Sequence, residues 1–95
     1  MATKDVAIDL MHEEVFVVAE GSNAVDIYNL EDTGTPVAKT RSITGSNTQL
    51  NGPSGITYDV EHDTILVVNA TDGKVITFKR TDDGNVVPTR VITLL

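Results

Sequence analysis

The sequence predicts an all-β fold of two four-stranded antiparallel sheets, and three observations lead there. The chain repeats itself at a spacing of about fifty residues, each repeat breaks into four short runs rich in β-branched residues, and no apolar stripe of 3.6-residue period runs through any of them. Slid by fifty positions, Asp9 falls on Asp59, His12 on His62, Val17-Val18 on Val67-Val68, Val25 on Val75, Asp32 on Asp82 and Gly34 on Gly84. Beyond that, Thr40-Arg41 falls on Thr89-Arg90 and Ile43-Thr44 on Ile92-Thr93 at a spacing of forty-nine, so one residue is gained or lost near Pro36 or Pro88. Chemically similar pairs (Val15/Ile65, Phe16/Leu66, Tyr28/Phe78) carry the match through the intervening positions. The two units are residues 1–46 and 47–95.

In the first unit the expected strands are Val6–Leu10, Val15–Ala19, Ala24–Leu30 and Lys39–Thr44. The second unit offers Ile56–Val60, Thr64–Asn69, Lys74–Arg80 and Thr89–Leu94. Gly21-Ser22-Asn23, Asp32-Thr33-Gly34, Thr71-Asp72-Gly73 and Asp82-Asp83-Gly84 separate them, residues that accept the positive φ of tight turns. The second strand of each unit narrows the architecture. Val15-Phe16-Val17-Val18-Ala19 and Ile65-Leu66-Val67-Val68 are apolar without alternation, so both faces of the strand need cover. A two-sheet sandwich would leave one face of each sheet wet and show alternation throughout. Four-stranded units of this length stacked face to face are instead the blades of a β-propeller.

The run Gly52-Pro53-Ser54-Gly55-Ile56-Thr57-Tyr58-Asp59, followed by Ile65–Ala70 and Val75-Ile76-Thr77-Phe78, resembles a blade of the NHL-type bacterial propellers. The tail Gly84–Ile92 is similar to a segment that recurs in long arrays of that group. The first unit departs from the pattern: no Gly-Pro-x-Gly precedes Val6, and Ala19-Glu20 stands where the second unit has Asn69-Ala70. The resemblance implies a binding scaffold more often than an enzyme.

Propellers close with four to eight blades or somewhat more, so two blades leave two outward faces uncovered. Head-to-tail packing of identical copies forms a ring when the rotation closes. Three copies would give a six-bladed propeller and four an eight-bladed one; three is favoured because six is common in the resembled group. Each chain would start on an inner strand and end on an outer one, so whole blades meet at the seams. The same residues could also be a fragment of a longer propeller, or an engineered form of one.

Composition excludes several classes. With fourteen acids against seven bases the net charge is −7, and the bases are scattered apart from Lys79-Arg80, which argues against a nucleic-acid partner. There is no cysteine for a disulfide or a thiolate zinc site. No apolar run approaches the ~20 residues of a membrane helix, and Met1–Val6 does not read as a signal peptide, so the sequence as written is that of a soluble, cytoplasmic protein. Two Phe, two Tyr and no Trp give little material for sugar-stacking or base-stacking platforms, which weighs against a lectin.

The candidate sites sort onto the two ends of the blades. Ten of the fourteen acids fall on the end that carries the first-to-second and third-to-fourth strand loops: Asp9, Glu13, Glu14, Glu31, Asp32, Asp59, Glu61, Asp63, Asp82 and Asp83. They read either as a docking face for a basic partner or weak divalent-cation site, or as a solvated rim. His12 and His62, each three residues after an Asp, read either as a metal or pH-sensing pair or as turn residues bonded to their own hairpins. The opposite end takes Glu20–Asn23, Asn69–Gly73 and the linker Gly45–Gly55. Lactonase-type propellers hold a metal on that face through Glu, Asn and Asp, and the resemblance implies that Asn69 and Asp72 belong to such a set with Glu20 as the symmetry-related acid; together with Asn23 these are the candidate ligand-binding residues. A metal-dependent hydrolase is therefore the alternative to a non-enzymatic scaffold with no cofactor. Two near-equivalent blades repeat the same groups, however, which suits binding better than the asymmetric site that hydrolysis needs. Gly52-Pro53-Ser54-Gly55 has the wrong order for a nucleophile elbow and reads as a linker turn.

Overall fold

The computed structural model describes residues 3–19, 21–34 and 36–94. Eight strands follow in order: β1 Thr3–Asp9, β2 Glu14–Ala19, β3 Ala24–Asn29, β4 Arg41–Thr44, β5 Pro53–Asp59, β6 Thr64–Asn69, β7 Lys74–Lys79 and β8 Arg90–Thr93. They form two antiparallel four-stranded sheets with orders β1-β2-β3-β4 and β5-β6-β7-β8. The only helical element among the described residues is a 3-10 turn, Ser46–Thr48, in the linker. The first two hairpins of each sheet close through short turns that carry a residue at positive φ, Glu13 and Asp63 in the first and Gly21 and Gly73 in the second, whereas β3 and β7 reach β4 and β8 through longer loops.

β1 and β5 begin three residues earlier than the apolar pattern suggests. Each ladder crosses an irregularity, between Thr3 and Asp5 and between Pro53 and Gly55, and then adds a pair of polar or small residues. Pro53 is accommodated because it is the first residue of an edge strand, where no ladder donor is required. The outer strands β4 and β8 are correspondingly shorter than expected, at four residues each.

Register decides what faces what. Ala7, Phe16 and Ile27 lie across from one another on one face of the first sheet, as Val18, Val25 and Ile43 do one step along. On the second sheet, Tyr58, Ile65 and Phe78 form one row and Ile56, Val67 and Ile76 the next. These two faces meet and make one continuous core. Phe16 stacks on Tyr58 across it, with ring centroids 5.7 Å apart. The inner strands β1 and β5 run side by side, and Ile56 N–H donates to Asp5 Oδ2 at 3.0 Å. At the outer edge, Gly84 N–H donates to Ser42 O at 2.7 Å and Thr44 N–H to Gly84 O at 3.2 Å, so β4 is bridged to the loop after β7. The linker is pinned as well. Gly52 has φ 61°, its N–H donates to Asn23 Oδ1, and a Cβ there would collide with Thr71 Oγ1, so only glycine fits.

The β2 and β6 strands are apolar on both faces, and here only one face of each is fully covered. Phe16, Val18, Ile65 and Val67 are buried, whereas Val15, Val17 and Leu66 are half-buried and Val68 is exposed. No helix among the described residues is long and apolar enough to cross a membrane. Truncating the side chain at the centre of the shared layer, Phe16→Ala, is expected to cost about 3–5 kcal/mol, read as a lowered midpoint in urea unfolding.

Candidate functional site

At one end of the shared layer the apolar core gives way to a charged cluster built by both sheets. Arg80, just past β7, sits at its centre. Its Nε donates to Asp63 Oδ1 at 2.7 Å, its Nη1 to Glu14 Oε1 at 3.1 Å, and Asp9 Oδ2 lies 3.8 Å from Nε. Arg41, from β4, reaches the same carboxylate: Nη1 donates to Glu14 Oε2 at 2.7 Å and Nη2 to Oε1 at 3.1 Å. Nη2 also donates to the Arg80 carbonyl at 2.9 Å. Tyr58 Oη donates to Asp63 Oδ1 at 2.6 Å, and His12 Nδ1 to Asp9 Oδ2 at 2.6 Å.

The titration behaviour follows from these contacts. Burial pushes the Asp9 carboxyl up, but the His12 ring and the His12 and Met11 N–H groups hold it below its ordinary value. Glu14 is likewise raised by burial and lowered further by two guanidinium groups. Asp63 is depressed first by the Tyr58 hydroxyl and then by Arg80. Tyr58 is raised by burial and by the carboxylate it faces. Asp9, His12 and Asp63 bring ligand atoms within 4.8 Å of one another, which is a metal-like spacing. The Arg80 guanidinium already supplies the positive charge there, so the group is an ion-pair cluster and not a cation cage.

The ten acids of this end therefore divide. Asp9, Glu14 and Asp63 turn inward to Arg80 and Arg41, while Asp82 accepts the Lys79 N–H and Asp83 the Ser42 N–H. Asp59 accepts from the His62 ring at 2.7 Å, repeating the Asp9–His12 turn in a more exposed setting; that hydrogen bond lowers its pKa. Glu13, Glu31, Asp32 and Glu61 remain on the exposed or half-exposed rim. The roles of Arg41 and Arg80 had no local signal in the sequence, because Glu14, which both of them hold, lies on another strand.

At the opposite end a shallow pocket of about 410 Å³ opens between the β2–β3 turn, the linker and the β6–β7 turn, with Lys4 and Asn23 on its wall. Asn69 is buried below the rim, where Oδ1 accepts the Asn51 N–H at 3.0 Å and Nδ2 donates to Gln49 O at 2.8 Å. Asn23 Oδ1 accepts the Gly52 N–H at 3.0 Å. Asp72 Oδ1 is buried without a hydrogen-bond partner. Glu20 lies outside the described residues. The amide oxygens of Asn69 and Asn23 thus each carry a main-chain donor and serve the linker, while the Asp72 oxygen has no such partner.

No protein-family model matches the sequence, and no curated protein matches it. Among solved structures, the chain is similar to Hsv2 of Kluyvelomyces marxianus, with a TM-score of 0.70 and 10% identity over 98% of this chain. The two sheets are propeller blades. The match covers 33% of that protein's chain, so the present chain spans about a third of its length. At this identity the likeness carries the fold alone, and the blade junction is described by its own contacts.

Two outcomes follow for that junction. Arg80→Leu leaves Asp63 without its guanidinium and Glu14 with one of two; because Asp63 is nearly half exposed, the expected cost is about 2 kcal/mol rather than the 3–5 of a fully buried pair, measured by thermal unfolding. Asp9, Glu14 and Asp63 all have folded values below their unfolded ones. Their stabilisation is complete above the ordinary carboxylate range, about pH 4, and is lost as pH falls through the depressed values. The melting temperature should therefore drop below about pH 4, and less steeply in Arg80→Leu.

Proposed function

We propose that the chain is a two-blade unit of an NHL-like propeller that acts as a non-enzymatic binding scaffold, and that further copies of it complete the ring. The observation that supports this most is the pair of uncovered apolar faces. Val6 and Ile8 on the outward face of blade 1 are 47% and 50% exposed, and Val68 and Ile92 on the outward face of blade 2 are each 41% exposed. A sheet face of this kind on each side of the chain is more apolar surface than one molecule keeps in water when a partner of matching shape exists. The two faces differ, so the contact is head-to-tail, and it makes a ring when the rotation closes. Three copies give six blades, the number favoured by the resembled group, and four give eight.

The binding role rests on the ends of the ring. Copies arranged around an axis would repeat the exposed Glu13, Glu31, Asp32 and Glu61 several times on one rim, a field suited to a basic protein partner. The other rim would repeat the pocket beside Lys4 and Asn23, which is open enough for a small ligand. The side chains best placed for chemistry, Asn69 and the Arg80 cluster, are engaged in holding the fold. The native mass tests the assembly: light scattering at micromolar concentration should return about three times the 10.2 kDa chain mass, and a monomer would overturn the reading.

A further inference from the structure

The internal repeat lets the covered junction be compared, position by position, with the uncovered faces. Blade 1 turns Ala7, Phe16, Ile27 and Ile43 toward blade 2, and their counterparts Thr57, Leu66, Thr77 and Ile92 lie on the outward face of blade 2. Conversely, Tyr58, Ile65 and Phe78 of blade 2 face inward, and their counterparts Ile8, Val15 and Tyr28 lie on the outward face of blade 1. The outward face of blade 2 carries a groove of about 320 Å³ whose wall includes Asp59, His62, Thr64, Leu66, Thr77, Arg90 and Ile92. The corresponding place on blade 1 is full: Tyr58 lies on Phe16, and Arg80 lies against Glu14.

We propose that this groove is the socket for the outward face of blade 1 of a second copy, seated in the register of the internal junction and locked by an ion pair between Arg90 and Glu13 of the partner subunit. This rests on the assembly reading and adds to it the residues that meet. Part of the internal junction is made by main-chain atoms, which substitution does not remove. Arg41 donates to the Arg80 carbonyl, and β4 bridges to Gly84. Transposed to the seam, Arg90 donates to the carbonyl of Leu30 of the partner subunit, and β8 bridges to the partner's Gly34, which like Gly84 has positive φ.

The side chains at the seam differ in a coordinated way. Thr64 replaces Glu14, so Arg90 lacks the carboxylate that its counterpart Arg41 holds on its own blade, and Arg90 makes no ion pair among the described residues. Leu30 replaces Arg80, so the seam has one guanidinium where the internal junction has two. Glu13 takes the place of Asp63, on the same positive-φ turn residue, and is one methylene longer where Leu30 stands in for Arg80. The groove's own carboxylate, Asp59, is held by the His62 ring at 2.7 Å, so Arg90 is the cation left without an ion-pair partner on blade 2, and Glu13 of the partner subunit is the carboxylate proposed to meet it.

Sedimentation velocity of Arg90→Glu, Glu13→Arg and the doubly reversed variant tests this pairing. Each single change should weaken association at least ~10-fold, the size expected of a partly desolvated ion pair, and the double variant should recover most of it. Circular dichroism should stay that of the parent chain, since neither residue takes part in the internal junction. A second measurement is independent of charge. The chain has no cysteine, so Ile8→Cys combined with Leu66→Cys should cross-link only between copies, giving dimers and trimers on mild oxidation. An assembled parent that is indifferent to the charge reversals and does not cross-link at these positions overturns the register while leaving assembly standing. A monomeric parent overturns both.

Discussion

A sheet whose second strand is apolar on both faces has to be covered twice, and the layer between the two blades is where this chain meets half of that demand. Phe16, Val18, Val25, Ile27 and Ile43 come from one side and Ile56, Ile65, Val67, Ile76 and Phe78 from the other, all of them buried. Neither blade has a core of its own. Each sheet is one strand layer thick, so its fully buried residues exist only because the other sheet is there. The linker, the Gly84 bridge and the β1–β5 contact all serve to set the distance and rotation at which these two faces close.

The ion cluster at the end of the layer acts differently from the apolar contacts beside it. Bringing Glu14, Asp63 and two guanidinium groups partly out of water carries a desolvation cost that their attraction roughly repays, so the cluster adds little net stability over a well-packed apolar alternative. Its effect is on register. Arg80 meets Glu14 of the other blade through a directed hydrogen bond, and Arg41 returns the contact by donating to the Arg80 carbonyl. A slide of one blade over the other by a single residue would keep most of the apolar burial but strand these charges, so the cluster selects one alignment among many that burial alone would allow.

Blades and strands were legible in the sequence because a repeat displays its own period and a strand its own composition. Phe16 and Leu66 sit at matched positions in unbroken apolar runs, and that fixes both the strand and its need for two covers. The first residues of β1 and β5 were not legible: Thr3, Lys4 and Ser54 carry no apolar signal and join the ladder only after an irregularity that sequence does not encode locally. The sites were harder still. Glu14 and Asp63 look like any rim acid, and what draws them inward is Arg80, 66 and 17 positions away along the chain. Asn69 shows the same limit from the other side. An Asn at the end of a strand fits a ligand set and a structural role equally well, and only the positions of Asn51 and Gln49 show which bonds its amide makes.

The differences between the blades have a direction. Where blade 1 presents Ala7, Glu14, Phe16 and Ile27 to a neighbour in its own chain, blade 2 carries Thr57, Thr64, Leu66 and Thr77 on its outward side, Thr57 exposed, Thr64 and Leu66 half-buried and Thr77 buried. The inner face is covered as the chain folds, so it never has to be stable in water. The outward face of blade 2 has no such cover within the chain, and there Thr77 stands for Ile27, which removes apolar surface, while Thr64 stands for Glu14, which removes a charge that any covering layer would have to desolvate. Threonine is also a strong strand former, so the change costs β6 and β7 little. A face built this way keeps its strand geometry while giving up some of the apolar surface that makes the internal junction tight. Under the proposed assembly the two repeats divide the work, one interface made within the chain and the other between copies.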